Sequence, residues 1–285
     1  NKYRVRGRQA AIDTLVSLFM FTAAVTVFLP VFSVLVSTIQ RGLPGLKSNI
    51  FTQSMFSASY QDPITKGGLL HAIVGTLSLI ILTIIISVPT GVLTALYLTE
   101  IKGPGSRFIQ FTVQAMSGVP SVVAGLFIFA AVILTTPIKA SGIAGAFALS
   151  ILMVPTVTRT SQEVLQLIPN DLRESGVALG GTQWRTVQQI VLPAARSGLV
   201  TALILGVARV AGETAPVVLL TGGGDGTQWN IFKGPMGTLP TYIWKAYAAG
   251  TDASIQRAWS AILILLVIVL ALFGLARFLG GRNVK

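Results

Sequence analysis

The chain has 285 residues, no cysteine and a single histidine, His71. Disulfides, thiolate chemistry and cysteine-ligated metals are therefore excluded, and so are multi-histidine metal centres. Charge is scarce: 11% of residues are Asp, Glu, Lys or Arg, against about 25% in soluble domains. A Walker A lysine is also missing. The glycine run Gly222-Gly223-Gly224-Asp225-Gly226 is not followed by Gly-Lys-Ser/Thr, so the chain has no Walker A site and must take energy from another subunit. No His-Glu-x-x-His pair occurs, and an intramembrane serine protease would have only His71 to use. The chain is therefore read as a non-enzyme without a metal or cofactor of its own.

What the chain has is apolar length. Hydrophobic residues make up 52% of it, and the mean hydropathy is +0.75. Continuous apolar runs near 20 residues suit membrane helices, whereas a transmembrane barrel needs alternating segments of about ten. Six spans are predicted, at about 12–39, 69–98, 108–134, 142–157, 197–220 and 259–279. The fold class is all-α, a polytopic membrane protein with six transmembrane helices. Residues 1–68 form an N-terminal span and first outer loop, and 69–285 a core. Pro30 and Pro89 are expected to bend their helices. Ser117-Gly118-Val119-Pro120-Ser121 is expected to interrupt the third span, because proline lacks a donor and glycine permits unusual angles. Such a break must face protein or a cavity rather than lipid. Trp229, Tyr242, Trp244 and Tyr247 suggest a short outer helix with an interfacial belt, and His71 reads as an interfacial residue.

The net charge is +12. In a membrane protein this points to basic loops beside anionic lipid rather than to nucleic acid. Six spans place both termini on one side. That side carries thirteen Lys and Arg, and the other carries seven. The positive-inside rule then makes both termini cytoplasmic.

The fourth and fifth spans are separated by a polar insert, 163–193, with charges of both signs. It must lie in water, on the side of the termini. Arg173 to Leu179 reads as one short helix, Gly180-Gly181 as a turn, and Thr182 to Val191 as a second helix capped by Thr182. Pro193 marks the start of the next span. Here Glu174, Gly180, Ile190, Leu192 and Pro193 reproduce a pattern: Glu-Ala-Ala, three residues, Gly, nine residues, Ile-x-Leu-Pro. This insert resembles the cytoplasmic loop of ABC importer permeases. Ser175 and Gly176 replace the two alanines but keep the site small, which implies preserved docking space.

Other stretches narrow the resemblance. Ser117 to Leu126, Val154-Pro155-Thr156-Val157-Thr158-Arg159-Thr160 and Arg209-Val210-Ala211-Gly212-Glu213-Thr214-Ala215-Pro216 are similar to segments of phosphate-transporter permeases. Gly75-Thr76-Leu77 and Tyr97-Leu98-Thr99-Glu100 add to this. The Gly-Glu-Thr-Ala-Pro ending favours the PstA-type subunit over its PstC-type partner.

The resemblance implies a type I ABC importer permease in a bacterial inner (plasma) membrane, forming half of a pore for inorganic phosphate. It implies a second homologous permease, two copies of a cytosolic ATPase holding ATP and Mg, and an extracytoplasmic phosphate-binding protein. Residues Glu174, Gly180, Ile190, Leu192 and Pro193 would couple to the ATPase. Sulfate or molybdate is the neighbouring alternative, and an ATP-independent channel the distant one.

The pathway residues follow partly from charge. Arg209 and Glu213 are four apart and are expected to share a helix face, near mid-membrane. A charge there costs roughly 2.5–3.5 kcal/mol and is functional by default. Guanidinium forks match phosphate oxygens. Glu213 would neutralise Arg209 in the empty pore or accept the P–OH proton that sulfate lacks; a buried pair that merely locks helices is the competing reading. Thr214 and Arg159 complete the expected path, with Arg159 ending the fourth span, and Thr156 and Thr160 are weaker candidates.

Overall fold

The computed structural model describes residues 7–281. Among them the chain is almost wholly helical. In order, the helices are α1 (Gly7–Gly42), α2 (Ser48–Thr52), α3 (Leu70–Leu96), α4 (Ser106–Ser117), α5 (Ser121–Ile128), α6 (Gly142–Gln166), α7 (Asn170–Ala178), α8 (Gln183–Thr186), α9 (Leu192–Ala211), α10 (Ala215–Thr221), α11 (Leu239–Ala249) and α12 (Asp252–Gly281). Among the described residues five helical segments are long and apolar enough to cross a membrane, or six if α4 and α5 together form one broken span.

Helix α6 is the centre. Its first half carries Gly142, Ala144, Gly145, Ala146 and Ala148, all buried. Lipid gives helices no hydrophobic reason to associate, so close packing of small residues takes that role. A Cβ on Gly145 would lie 2.8 Å from Thr221 Cγ2, one on Gly91 of α3 2.8 Å from Val157 Cγ1, and one on Gly206 of α9 2.8 Å from Met153 Cε. Leu79 and Ile80 from α3, Leu149, Leu152, Met153 and Val157 from α6, and Val207 and Val210 from α9 form the main core.

The expected interruption of the third span is present and sharp. Helices α4 and α5 meet at 108° across Gly118-Val119-Pro120. The fifth span is also broken, which the sequence reading did not anticipate. Helix α9 stops at Ala211, and α10 begins at Ala215. The two second halves pack together, since a Cβ on Gly125 of α5 would sit 2.8 Å from Pro216 Cα of α10.

Residues 9–35 of α1 are exposed throughout. The helix touches the bundle only at its far end, where Ser260 Oγ donates to Gly42 O at 2.9 Å and Arg41 lies 5.1 Å over the Trp259 ring. An apolar rod of this length needs lipid or another chain around it.

At the end of the bundle beyond α11, a cap is built on Arg257. This side chain is 1% exposed and donates to the carbonyls of Asp62, Pro63 and Lys66 at 2.6–2.9 Å. Tyr60 donates to Asp225 Oδ1 at 3.1 Å, and Lys245 pairs with the same carboxylate at 3.2 Å. Burial first, and the Asp225 charge second, push the Tyr60 phenol well above its ordinary range. The predicted outer helix is α11, opened by a reciprocal cap between Thr238 and Thr241. Trp229, Trp244 and Tyr247 are exposed, but Tyr242 is buried. His71 is also buried, not interfacial, with its ring edge-on to Tyr242 at 5.7 Å.

Candidate coupling insert and substrate path

The insert folds as two short helices docked on two spans. Its start is later than the polarity suggested: α6 runs on to Gln166, because Thr160 to Gln166 are compatible with helix and Leu165 is fully buried. Helix α7 then spans Asn170–Ala178. Gly180 adopts φ +82, the left-handed turn that only glycine takes without strain. Thr182 caps α8 as expected, its Oγ1 accepting from the Arg185 amide at 3.3 Å. Pro193 does not start a new helix. A π-helical turn over Val187–Val191 joins α8 to α9 without a break. Proline lacks an N–H and crowds the carbonyl four residues back, and a widened turn relieves that conflict.

Glu174 is exposed on α7, Gly180 is exposed at the turn, Ile190 and Leu192 are half-buried, and Pro193 is exposed. Gly176 does not provide docking space. It is buried and faces inward, where a Cβ would meet Thr186 Cγ2 at 2.6 Å and Ile190 Cδ1 at 2.8 Å. Thr186 uses the room that an alanine at 176 would fill. The outward surface is apolar in places: Leu167 is 81% exposed, Leu179 87% and Trp184 53%. A cavity of about 660 Å³ lies between α7, α8 and the end of α3, with Glu174, Val177, Ala178, Thr186 and Val191 among its walls.

The firmest attachment is one that sequence reasoning missed. Arg173 Nη2 and Nε meet Glu100 Oε1 and Oε2 at 2.9 and 3.0 Å. The same guanidinium donates to Leu165 O at 2.8 Å and Ile168 O at 2.6 Å. Gln183 Nε2 donates to Glu100 O at 2.7 Å. Glu100 sits in a π-helical turn, Tyr97–Ile101, that ends the α3 span. The only available signal was the resemblance around Tyr97 to Glu100.

The path residues are distributed differently from expectation. Arg209 lies in the last turn of α9, and Glu213 sits in the break beyond it. They do not continue one helix face, because the helix ends between them at Ala211. Among the described residues no ion pair joins them. Arg209 is exposed in the last turn of α9, a helix that buries Ala202, Gly206 and Val210. Glu213 is half-buried and lines a small cleft with Thr76, Leu149, Val217 and Thr238. Thr214 follows it in the break, half-buried. Arg159 is exposed and opens into a polar pocket of about 210 Å³ between α4 and α6, with Gln110, Gln114, Gln162, Glu163 and Gln166. Thr156 bonds its own helix at Leu152 O, 3.4 Å. The two broken spans coincide with two of the stretches that carried the narrower resemblance, 117–126 and 209–216.

Residues 87–285 match the family described as binding-protein-dependent transport system inner membrane component. The phosphate transport system permease protein PstA of Mycobacterium leprae is 36% identical over 281 residues, covering 97% of this chain and 92% of that one. PstA of Haemophilus influenzae is 38% identical over 244 residues, covering 84% and 83%. Among solved structures, a bacterial alginate ABC transporter in complex with an alginate pentasaccharide-bound periplasmic protein superposes with TM-score 0.69 at 16% identity, covering 98% of both chains. The inward-facing methionine transporter MetNI gives TM-score 0.53 at 22% identity, over 75% of this chain and 92% of that chain. These two carry the fold alone. The chain belongs to the PstA family of permeases, among the inner membrane components of binding-protein-dependent transport systems.

Proposed function

We propose that this chain is one of two permease subunits of an ATP-driven importer that carries inorganic phosphate into the cytoplasm of a bacterium. The observation that carries the reading is the insert. It is a folded unit anchored to two spans, yet it leaves Leu167, Leu179 and Trp184 uncovered. An apolar surface on a water-facing segment needs a partner, and a simple channel has no use for one. The partner proposed is a cytosolic ATPase, present in two copies and supplying ATP and Mg, engaging Glu174, Gly180, Ile190, Leu192 and Pro193. Orientation follows from the loop charges, with both termini and the insert cytoplasmic. An extracytoplasmic phosphate-binding protein would meet the opposite face, around α11.

Arg209 supports the second permease. An exposed guanidinium near the end of an apolar span cannot face hydrocarbon cheaply, so another protein or a water-filled path must cover it. Half a pore on each permease satisfies that need. Arg209 would then offer its fork to phosphate oxygens. Glu213 and Thr214 lie in irregular backbone that must border a cavity, and the Arg159 pocket would form the cytoplasmic end. Phosphate is favoured over sulfate by the names of the relatives and by Glu213, a carboxylate able to accept the P–OH proton.

The test is uptake of labelled phosphate, sulfate and molybdate into proteoliposomes holding the chain with its co-encoded subunits, ATP inside and binding protein outside. Phosphate uptake requiring both is the expected result. Uptake of sulfate or molybdate alone would keep the importer and remove the phosphate assignment. ATP-independent flux would return the channel.

A further inference from the structure

Resting on the transport reading above, we propose that Arg173, seated on Glu100, is the positioning joint that carries movement of the insert into two spans at once. The guanidinium has two sets of partners. One is the Glu100 carboxylate, met by two nitrogens at 2.9 and 3.0 Å. The other is a pair of carbonyls at the exit of α6, Leu165 and Ile168. Arg173 itself belongs to α7. One side chain therefore ties α7 to the end of the α3 span and to the end of α6.

The geometry separates a joint from a surface ion pair. Only 6% of the Glu100 side chain and 22% of the Arg173 side chain are exposed, so water screens the pair weakly. A forked guanidinium–carboxylate contact fixes direction as well as distance. Gln183 of α8 grips the Glu100 backbone from the other side of the insert at 2.7 Å. Both helices of the insert thus hold one residue of the α3 span. The spans so gripped are the ones that pack on each other through Gly91 and Val157 in the core. A push on α7 is therefore passed through these bonds toward that packing.

The readout is the number of phosphate ions imported per ATP hydrolysed by the assembled complex in proteoliposomes. Glu100→Gln keeps the size of the side chain and removes its charge. It should leave ATPase subunits bound to the complex and lower the import ratio severalfold. Glu100→Asp should recover part of the ratio. Because the chain has no cysteine, Glu100→Cys with Arg173→Cys offers a second measurement with cysteine-free partner subunits. A short, reducible bis-thiosulfonate bridge across the pair should raise the import ratio, and reduction should lower it again. A Glu100→Gln complex with the parental ratio, or a bridge that leaves the ratio unmoved, overturns the joint. Should the parental complex itself show no ATP-dependent uptake, the transport reading fails instead, whatever the variants do.

Discussion

Gly176 and Thr186 fit each other at the level of single atoms. The glycine leaves room for a threonine methyl that an alanine would strike at 2.6 Å. Gly176→Ala should therefore cost about 1–3 kcal/mol of local stability through overpacking, and Gly176→Ala with Thr186→Ser should recover part of it, since the contact with Ile190 Cδ1 remains. Limited proteolysis of the insert measures this directly; equal nicking of the single and double variants would contradict the packing argument. Arg209 and Glu213 lead to a different expectation. Since the two are not paired, Glu213→Gln should not act by freeing Arg209. It should slow phosphate uptake while leaving the protein's melting temperature within a degree or two, whereas a locking pair would lower both. Phosphate uptake at the parental rate in Glu213→Gln would remove the carboxylate from the path altogether.

At the scale of elements, the cap shows why some structure was legible in the sequence and some was not. The break at 118–120 was visible because Gly118 and Pro120 stand two residues apart, freeing the backbone and removing a helix donor at one place. The break at 212–214 was not, since Gly212-Glu213-Thr214 contains no proline and the spacing of Arg209 and Glu213 suggested an unbroken helix. Pro193 misled in the opposite sense, because a π-helical turn absorbed it. Arg257 was legible only as a loop charge, and its carbonyl partners 191–195 residues away could not be read from spacing. Glu100 and Arg173, 73 residues apart, were hidden for the same reason.

The cap also makes a pH prediction. Burial and Asp225 raise the Tyr60 phenol above its unfolded value, so its contribution to stability is complete below about pH 10 and is lost as pH rises beyond that. Thermal unfolding in detergent between pH 8 and 11 should show a fall that is smaller in Tyr60→Phe. An identical slope in the variant would assign the fall to other groups. At neutral pH the same variant loses the hydrogen bond to Asp225 and should be less stable by about 1–2 kcal/mol.

At the scale of the whole molecule, the chain is a bundle with several uncovered apolar surfaces, and two of them differ in kind. One is α1, bare along residues 9–35, and the other is the insert. Lipid can cover the first, but only protein suits the second, where apolar side chains stand among charges. The two surfaces are mechanically distinct, because α1 packs mainly on α12 and the loop beside it, while the insert grips α3 and continues into α9. Damage to the insert should therefore leave the protein folded and in the membrane. Gly180→Pro is the sharpest case: proline requires φ near −65°, and the turn holds +82°. The turn between α7 and α8 must then open, and the apolar surface formed by Leu179 and Trp184 is lost as a unit. Membrane yield should stay close to that of the parent, since no residue of the turn itself belongs to a core cluster; Val187 and Val191, which do, lie beyond it in the π-helical turn. ATP hydrolysis stimulated by the loaded binding protein should vanish. If stimulation survives at the parental level in Gly180→Pro, the ATPase reads some other surface of the chain, and the exposed leucines of the insert belong to the lipid boundary instead.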